Sequence, residues 1–163
     1  MVVFGIPLSF FLPLMVHVWA GLATVIIGIV AFRAPKRRGR HPRWGTRYLW
    51  AYTLVFLTAT ILSAEHWGTS AYLFFIALVG YGLALSGYVA RRFRREPWLL
   101  RSLGENWVIA HIAGTIGSYI VLLTILATAS SAPAWEVFPF LFVLTLFTAA
   151  VVSINIAFSR RVW

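Results

Sequence analysis

The sequence predicts an all-α integral membrane protein, a bundle of five transmembrane helices in a single domain over residues 1–163. Hydrophobic residues make up 61% of the chain and charged residues 11%, whereas a soluble domain carries about 25% charged residues. The mean hydropathy is +0.85. A chain this apolar lacks the polar surface needed to face water, and its apolar stretches are long enough to cross a bilayer.

Five apolar stretches reach the length of about 17–25 residues that a spanning helix needs. They cover residues 8–32, 44–64, 71–90, 103–128 and 137–158. The start of the first stretch has two interpretations, because Pro7 and Pro13 interrupt it. Either the helix begins near Leu8 and kinks at Pro13, or residues 1–12 lie at the outer interface and the span starts near Leu14.

Local signals predict where two of the other helices begin. Pro42 is expected at the first position of the second helix, since proline is favoured there. Ser102 and Glu105 are spaced as a capping box, which predicts that the fourth helix starts near Leu103.

The basic residues predict the topology. All 14 Lys and Arg residues fall in three clusters, within residues 33–47, 91–101 and 160–161, and loops 65–70 and 129–136 contain none. By the positive-inside rule the clusters face the cytoplasm, so the N-terminus is outside and the C-terminus is cytoplasmic. We expect a multi-pass protein of the bacterial inner membrane that contacts anionic lipids. Nucleic acid is not an expected partner, because each cluster adjoins a span.

Composition leaves few residues for chemistry. The chain has no Cys and no Asp, which excludes thiolate metal sites, iron–sulfur clusters and Asp-based triads. The only lysine, Lys36, lies in a basic loop, which argues against a Schiff base within a helix. The four histidines are therefore the main ligand or proton-transfer candidates: His17, His41, His66 and His111.

His17 and His111 lie inside predicted spans, where an ionisable residue is by default a functional candidate. Small residues follow each histidine at helical spacing. For the first span these are Gly21, Thr24 and Gly28, and for the fourth they are Gly114, Thr115 and Ser118. Such residues leave room for a flat ligand such as a porphyrin, or equally allow close helix packing with an interhelical hydrogen bond to the histidine.

His66 and His41 are expected at the ends of spans. Glu65 and His66 could form a ligand, a proton relay or a quinol-binding corner, or simply a solvated cap. His41 lies among arginines at a helix start, which suits lipid phosphate binding or capping as well as ligation of a haem.

Two stretches resemble a large bacterial family of small predicted membrane proteins, catalogued only as a domain of unknown function (number 2306). The segment from His17 through Gly21 to Gly28 resembles the first helix of that family. Residues 41–48 resemble the HRxxGRxY-like segment that follows it, and His66 and His111 could correspond to later family histidines. The resemblance is best over the first third of the chain. It implies a multi-helix membrane protein with recurring histidines and brings no established activity.

The leading prediction for function is a haem b membrane protein of cytochrome b type, transferring electrons to or from quinone or a partner complex. Bis-histidine ligation between helices is a simple use of histidines beside small residues. His17 and His111 are the favoured iron ligands, whether or not they share one iron. The pairing stays open between His17 with His66, His111 with His41, and His17 with His111. A second hypothesis is a non-catalytic accessory subunit of a larger membrane complex, binding lipid or pigment.

Overall fold

Four helices form the described part of the protein. The computed structural model describes residues 2–3, 6–35, 39–92 and 107–128. The helices are α1 (Leu8–Arg33), α2 (Arg40–Glu65), α3 (Trp67–Arg92) and α4 (Trp107–Thr128). Each is long and apolar enough to cross a membrane. The fold is thus all-helical and of a multi-pass membrane type. The predicted fifth span and the capping box at residues 102–105 lie outside the described residues.

Helix α1 begins at Leu8 and continues through Pro13, so the earlier of the two predicted starts is confirmed. Proline is tolerated in spanning helices where neighbouring groups satisfy the carbonyl it leaves open. The helix ends where Ala34 turns extended, with φ −62° and ψ 135°. The following Pro35 explains this ending, because a residue before proline is pushed out of the helical region.

A short antiparallel pairing precedes α1. Strand β1 (Val2–Val3) pairs with β2 (Ile6–Pro7), with Val2 opposite Pro7 and Val3 opposite Ile6. With two residues in each strand, this ladder is too short to add a layer to the fold.

Helix α2 starts after Gly39, which has φ 116°, a conformation that side chains other than glycine rarely adopt. Pro42 was predicted at the first position of this helix, but the structure places it at the third. The first turn still suits it, because the first N–H groups of a helix have no intrahelical partner.

A single residue, His66, joins α2 to α3. Its carbonyl oxygen accepts hydrogen bonds from the backbone N–H groups of Thr69 and Ser70, at 3.0 and 2.9 Å. The Thr69 hydroxyl also donates to this oxygen. These hydrogen bonds attach the first turn of α3 directly to the connecting residue, His66.

The chain divides into two compact units, residues 1–81 and 82–163. The boundary falls inside α3, between Tyr81 and Gly82, rather than in a loop. The sequence prediction of one domain over residues 1–163 stays a prediction.

In the first unit, α1 packs antiparallel against α2. Phe10 contacts His66 near one end of the pair, and His17 contacts Thr58 further along. Contacting residue numbers therefore rise along α1 as they fall along α2. Helix α2 and the start of α3 also run antiparallel, since Phe56 contacts Phe74, while Tyr52, one turn earlier in α2, contacts Tyr81.

In the second unit, the last part of α3 meets α4. The closest approach joins Leu83 and Gly87 on α3 to His111 and Gly114 on α4. Ala84 and Gly87 are buried, so these small residues of α3 lie within the helix packing.

Large apolar side chains cover the outside of the helices. Trp19 is 69% exposed and Trp50 is 71% exposed, and both lie in mid-helix. Trp44, Trp67 and Trp107 lie at or near helix ends, as an aromatic belt requires. An apolar surface of this extent is unfavourable in water and natural in lipid.

Candidate functional site

His17 lies inside α1 and is bound to the neighbouring helix. It is nine residues, or about 14 Å, from the first residue of the helix. Its Nδ1 is 3.0 Å from the hydroxyl oxygen of Thr58 on α2. The structure thus shows an interhelical hydrogen bond for His17, one of the two uses that the sequence allows.

The Thr58 hydroxyl decides which ring nitrogen of His17 carries hydrogen. The hydroxyl has one hydrogen, and the carbonyl oxygens of Leu54 and Val55, at 2.8 and 3.0 Å, can only accept it. We therefore assign the Nδ1 hydrogen to His17, which donates to the Thr58 oxygen. In the neutral ring the lone pair then lies at Nε2, the atom that would bind a metal.

Gly21 lies one turn beyond His17, on the same face of α1. Apart from chain neighbours and its own helix, no heavy atom of the described residues lies within 4 Å of the position that a Cβ on Gly21 would take. Thr24 and Gly28, further along the same stripe, are buried. The stripe is therefore packed at its far end and open beside His17.

His111 lies in α4 and is bound to α3. Its Nδ1 is 2.8 Å from the backbone carbonyl oxygen of Gly87. A carbonyl oxygen only accepts, so Nδ1 donates and the neutral ring has its lone pair at Nε2. Ligating histidines are commonly held in this way, through the other ring nitrogen and a carbonyl oxygen.

The small residues after His111 are used for helix packing. A Cβ on Gly114 would lie 2.6 Å from the Leu83 carbonyl oxygen and 2.7 Å from the Gly87 backbone nitrogen. A Cβ on Gly87 would lie 2.9 Å from the backbone nitrogen of Thr115. Ser118 is fully buried. Beside Gly114 the structure shows close helix packing in place of room for a flat ligand.

His41 joins the ends of α1 and α2. Its Nδ1 is 2.9 Å from the carbonyl oxygen of Ala31, one of the last four carbonyls of α1, which have no partner within the helix. Histidine is a recognised partner for such carbonyls. In the structure, His41 therefore has the capping role among the uses predicted for it.

His66 and Glu65 are both exposed, at the connection between α2 and α3. The His66 ring makes an edge contact with the ring of Phe10, with centroids 5.5 Å apart. Phe10 precedes His17 by seven residues, which corresponds to about 10 Å along α1. Their exposure agrees with a solvated cap, one of the uses that the sequence allows for these residues.

Thr58 and Ser63 are site residues that sequence reasoning missed. Thr58 is 5% exposed and holds His17, while Ser63 is 1% exposed. Within the described residues, the Ser63 hydroxyl is the buried side-chain group without a hydrogen-bond partner. No sequence signal separates these two from other Thr and Ser residues of α2, because most such residues in membrane helices bond only to a carbonyl one turn back.

The observed partners of three of the predicted site histidines are oxygens: His17 binds a hydroxyl, while His41 and His111 bind carbonyls. His66 contacts a ring. In the described ranges, no group of three or more His, Cys, Asp or Glu residues could hold a metal ion. A haem needs at most two protein ligands, so this finding bears on bare metal ions rather than on haem.

The comparisons with known proteins give no family. No protein-family model, no curated protein and no solved structure matches the chain. The resemblance to the family of unknown function therefore stays a prediction. The fold and site define the class of the protein: an all-α, multi-pass membrane protein whose intramembrane histidines are held by hydrogen bonds between helices.

Proposed function

We propose that the protein is a haem b membrane protein of cytochrome b type, with His17 as the principal iron ligand. The observation that carries the proposal is the combination of an anchored ring and open space. The Nδ1 of His17 is fixed on Thr58, and among the described residues no side chain from another helix covers the flank beside Gly21. A flat ligand needs both an oriented Nε2 and a flank without side chains.

The donor chemistry fits haem better than a hard cation. The chain offers neutral imidazoles and has no Cys or Asp, and imidazole is a usual axial ligand of haem iron. When bound, haem would supply one-electron chemistry. His17 would hold and orient the group, and the surrounding apolar helices would exclude water from it.

His111 is also proposed as an iron ligand, because it lies inside a spanning helix and its Nδ1 is held on the Gly87 carbonyl oxygen. His66 is less suited to share an iron with His17. Thr58, the partner of His17, precedes His66 by eight residues, or about 12 Å along α2, and Phe10 gives a similar offset along α1. Both axial nitrogens must reach one iron, so an offset of this size disfavours the pair.

The orientation is part of the proposal. We propose that the N-terminus is outside, that the basic clusters face the cytoplasm of a bacterial inner membrane, and that residues 137–158 form a fifth span. Reporter fusions at residues 38 and 96 and at the C-terminus are expected to report cytoplasm. Fusions at residues 68 and 132 are expected to report the outside. A cytoplasmic report at residue 68 would contradict this topology.

The visible spectrum tests the haem proposal. The protein is purified from cells supplied with haem, and absorption is recorded before and after reduction with dithionite. Bis-histidine iron is expected to give sharp low-spin bands that shift on reduction. His17→Ala is expected to abolish the bands, whereas His41→Ala is the matched control and keeps them, because His41 caps a helix end.

His66→Ala and His111→Ala test the other candidate iron ligands. A variant that converts the spectrum to high spin, with haem still bound, has lost an axial ligand. A wild-type protein that is colourless yet monodisperse would contradict the proposal. Electron transfer to or from quinone is then tested by quinol-dependent reduction of the bound haem.

The second candidate function is a non-catalytic accessory subunit of a larger membrane complex. The observation that favours it is the region around His111, where the ring and the glycines are used for packing α3 against α4. Exposed apolar side chains such as Trp19 and Trp50 would then contact lipid, pigment or other subunits. Co-purification of a defined partner with a colourless protein would favour this function.

A further inference from the structure

A cavity of about 280 Å³ lies where α1 ends and α2 begins. Its walls combine basic and apolar side chains. The residues that line it are Ile29, Val30, Arg33, Ala34, Pro35, Arg40 and Trp44. The haem proposal does not use any of them.

The two arginines give the cavity a strong preference for anions. Arg33 and Arg40 come from different helices and are both exposed, so their guanidinium groups can meet a ligand at the cavity mouth. Guanidinium groups bind phosphate through paired, charge-assisted hydrogen bonds. No acidic residue competes for them in this region of the sequence, because the first acidic residue of the chain is Glu65.

The start of α2 adds to the positive potential. Gly39 is the residue before the helix, and it has no side chain with which to cap the first turn. Uncapped N–H groups and the helix dipole favour an anion at this end. His41 holds the first turn of α2 to the Ala31 carbonyl of α1, which fixes the two arginine-bearing segments against each other.

The apolar wall of the cavity favours a lipid over a soluble anion as the ligand. Ile29 and Val30 belong to the last turns of α1, a helix apolar enough to cross a membrane, so the cavity lies where headgroups meet acyl chains. Trp44 forms part of the wall, and the Arg47 guanidinium lies over its ring, with Cζ 4.6 Å from the ring centroid. An aromatic ring beside arginines is typical of the membrane interface.

We infer that this cavity binds the phosphate of one anionic phospholipid, with Arg33 and Arg40 on the phosphate and Ile29, Val30 and Trp44 against its glycerol and upper acyl chain. The site is specific, and it differs from the general attraction of a basic loop for an anionic surface.

Native mass spectrometry of the full chain in mild detergent tests the inference. Phosphatidylglycerol and phosphatidylcholine are added in equal amounts, and retained lipid is counted. The wild type is expected to retain one phosphatidylglycerol in preference. Arg33→Gln combined with Arg40→Gln is expected to weaken retention about tenfold or more, since one hydrogen bond to a charged group accounts for about that factor.

Two further variants distinguish binding in the cavity from a general effect of the positive charge nearby. Arg43→Gln combined with Arg92→Gln removes the same charge outside the cavity, and less than about a threefold loss is expected. Ala34→Phe keeps every charge and fills the cavity, so it is expected to lose the lipid. Thermal unfolding shows whether each variant is folded. If Ala34→Phe does not fold, the comparison of lipid retention between the two arginine double variants tests the inference.

Three results would overturn the inference. An equal loss in the control pair would show a diffuse effect of charge. Full retention by folded Ala34→Phe would show that the cavity is not the site. Displacement of the lipid by an equal concentration of inorganic phosphate or glycerol 3-phosphate would show a site for a soluble anion.

Discussion

The regions around His17 and His111 look alike in sequence and differ in structure. Each has a histidine inside a helix, bound through Nδ1 to an oxygen on a neighbouring helix: α2 for His17 and α3 for His111. Beside His17, no other helix of the described part of the chain fills the position next to Gly21. Beside His111, Gly114 lies against the backbone of α3, where a Cβ would come within 2.6 Å of the Leu83 carbonyl oxygen.

The difference shows that a histidine followed by small residues has two structural meanings. A glycine can bring two helix backbones together, which makes the histidine part of the packing. It can also leave a flank uncovered, which makes the histidine available to a ligand. The neighbouring helix decides between them, and the sequence of one helix does not contain that information. The following experiments test this distinction, from the largest expected effect to the smallest.

Substitution of Gly114 is expected to have the largest effect. Gly114→Leu would place a side chain where backbone atoms of Leu83 and Gly87 already lie. The helices must separate, so we expect a loss of at least about 3 kcal/mol in the free energy of unfolding. Thermal unfolding in detergent measures it. Gly21→Leu is the matched control, and an equal loss there would contradict the contrast between the two regions.

Gly21→Leu is expected to change binding and leave folding intact. The added side chain enters open space, and leaving glycine improves helix propensity by up to about 1 kcal/mol. If a haem lies against this flank, the leucine blocks it and the reduced spectrum disappears. A haem content equal to that of the wild type would remove Gly21 from the site and leave His17 to be tested separately.

Thr58→Val is expected to weaken the binding of haem while the ligand His17 is kept. Valine keeps the shape of threonine and removes the oxygen that holds the His17 Nδ1. Loss of such a supporting group typically reduces metal affinity about 10–100-fold. Haem titration of the apoprotein measures the change. Thr60→Val is the control on the same helix, because the Thr60 hydroxyl donates to the Phe56 carbonyl, and its haem affinity should match the wild type.

His111→Ala is expected to have the smallest effect on folding. It removes one interhelical hydrogen bond to Gly87, and such bonds in membranes contribute about 0.6 kcal/mol on average, with a maximum of about 1.7 kcal/mol. Thermal unfolding should therefore shift slightly, far less than for Gly114→Leu. A collapse of the fold would show that the histidine, rather than the glycine contact, holds α3 to α4.

Much of the fold could be predicted from the sequence, because length and hydropathy dominate membrane insertion. The four described helices include the four predicted spans apart from residues 103–106, which lie outside the described residues. Helix ends were predicted less well. Helix α2 begins at Arg40 and α3 extends to Arg92, since a helix can continue with polar residues past the hydrocarbon core.

The site could be predicted only in part. The histidines were evident because ionisable residues are rare in spans. Their partners were not, because Thr58 and the Gly87 carbonyl come from other helices and depend on how those helices pack. The oxygens that hold His17 and His111 carry no distinctive sequence signal, and the proposed ligand pairs stay predictions.

The turn at His66 bears on how the protein enters the membrane. With one residue between α2 and α3, a cell inserting these helices as a hairpin must translocate almost no polar chain beyond Glu65 and His66. A carboxylate can take up a proton and an imidazole can release one, so both can cross without charge. The arginines between α1 and α2 keep their charge. The connection between α2 and α3 can therefore lose its charge and the one between α1 and α2 cannot, which supports the orientation proposed above.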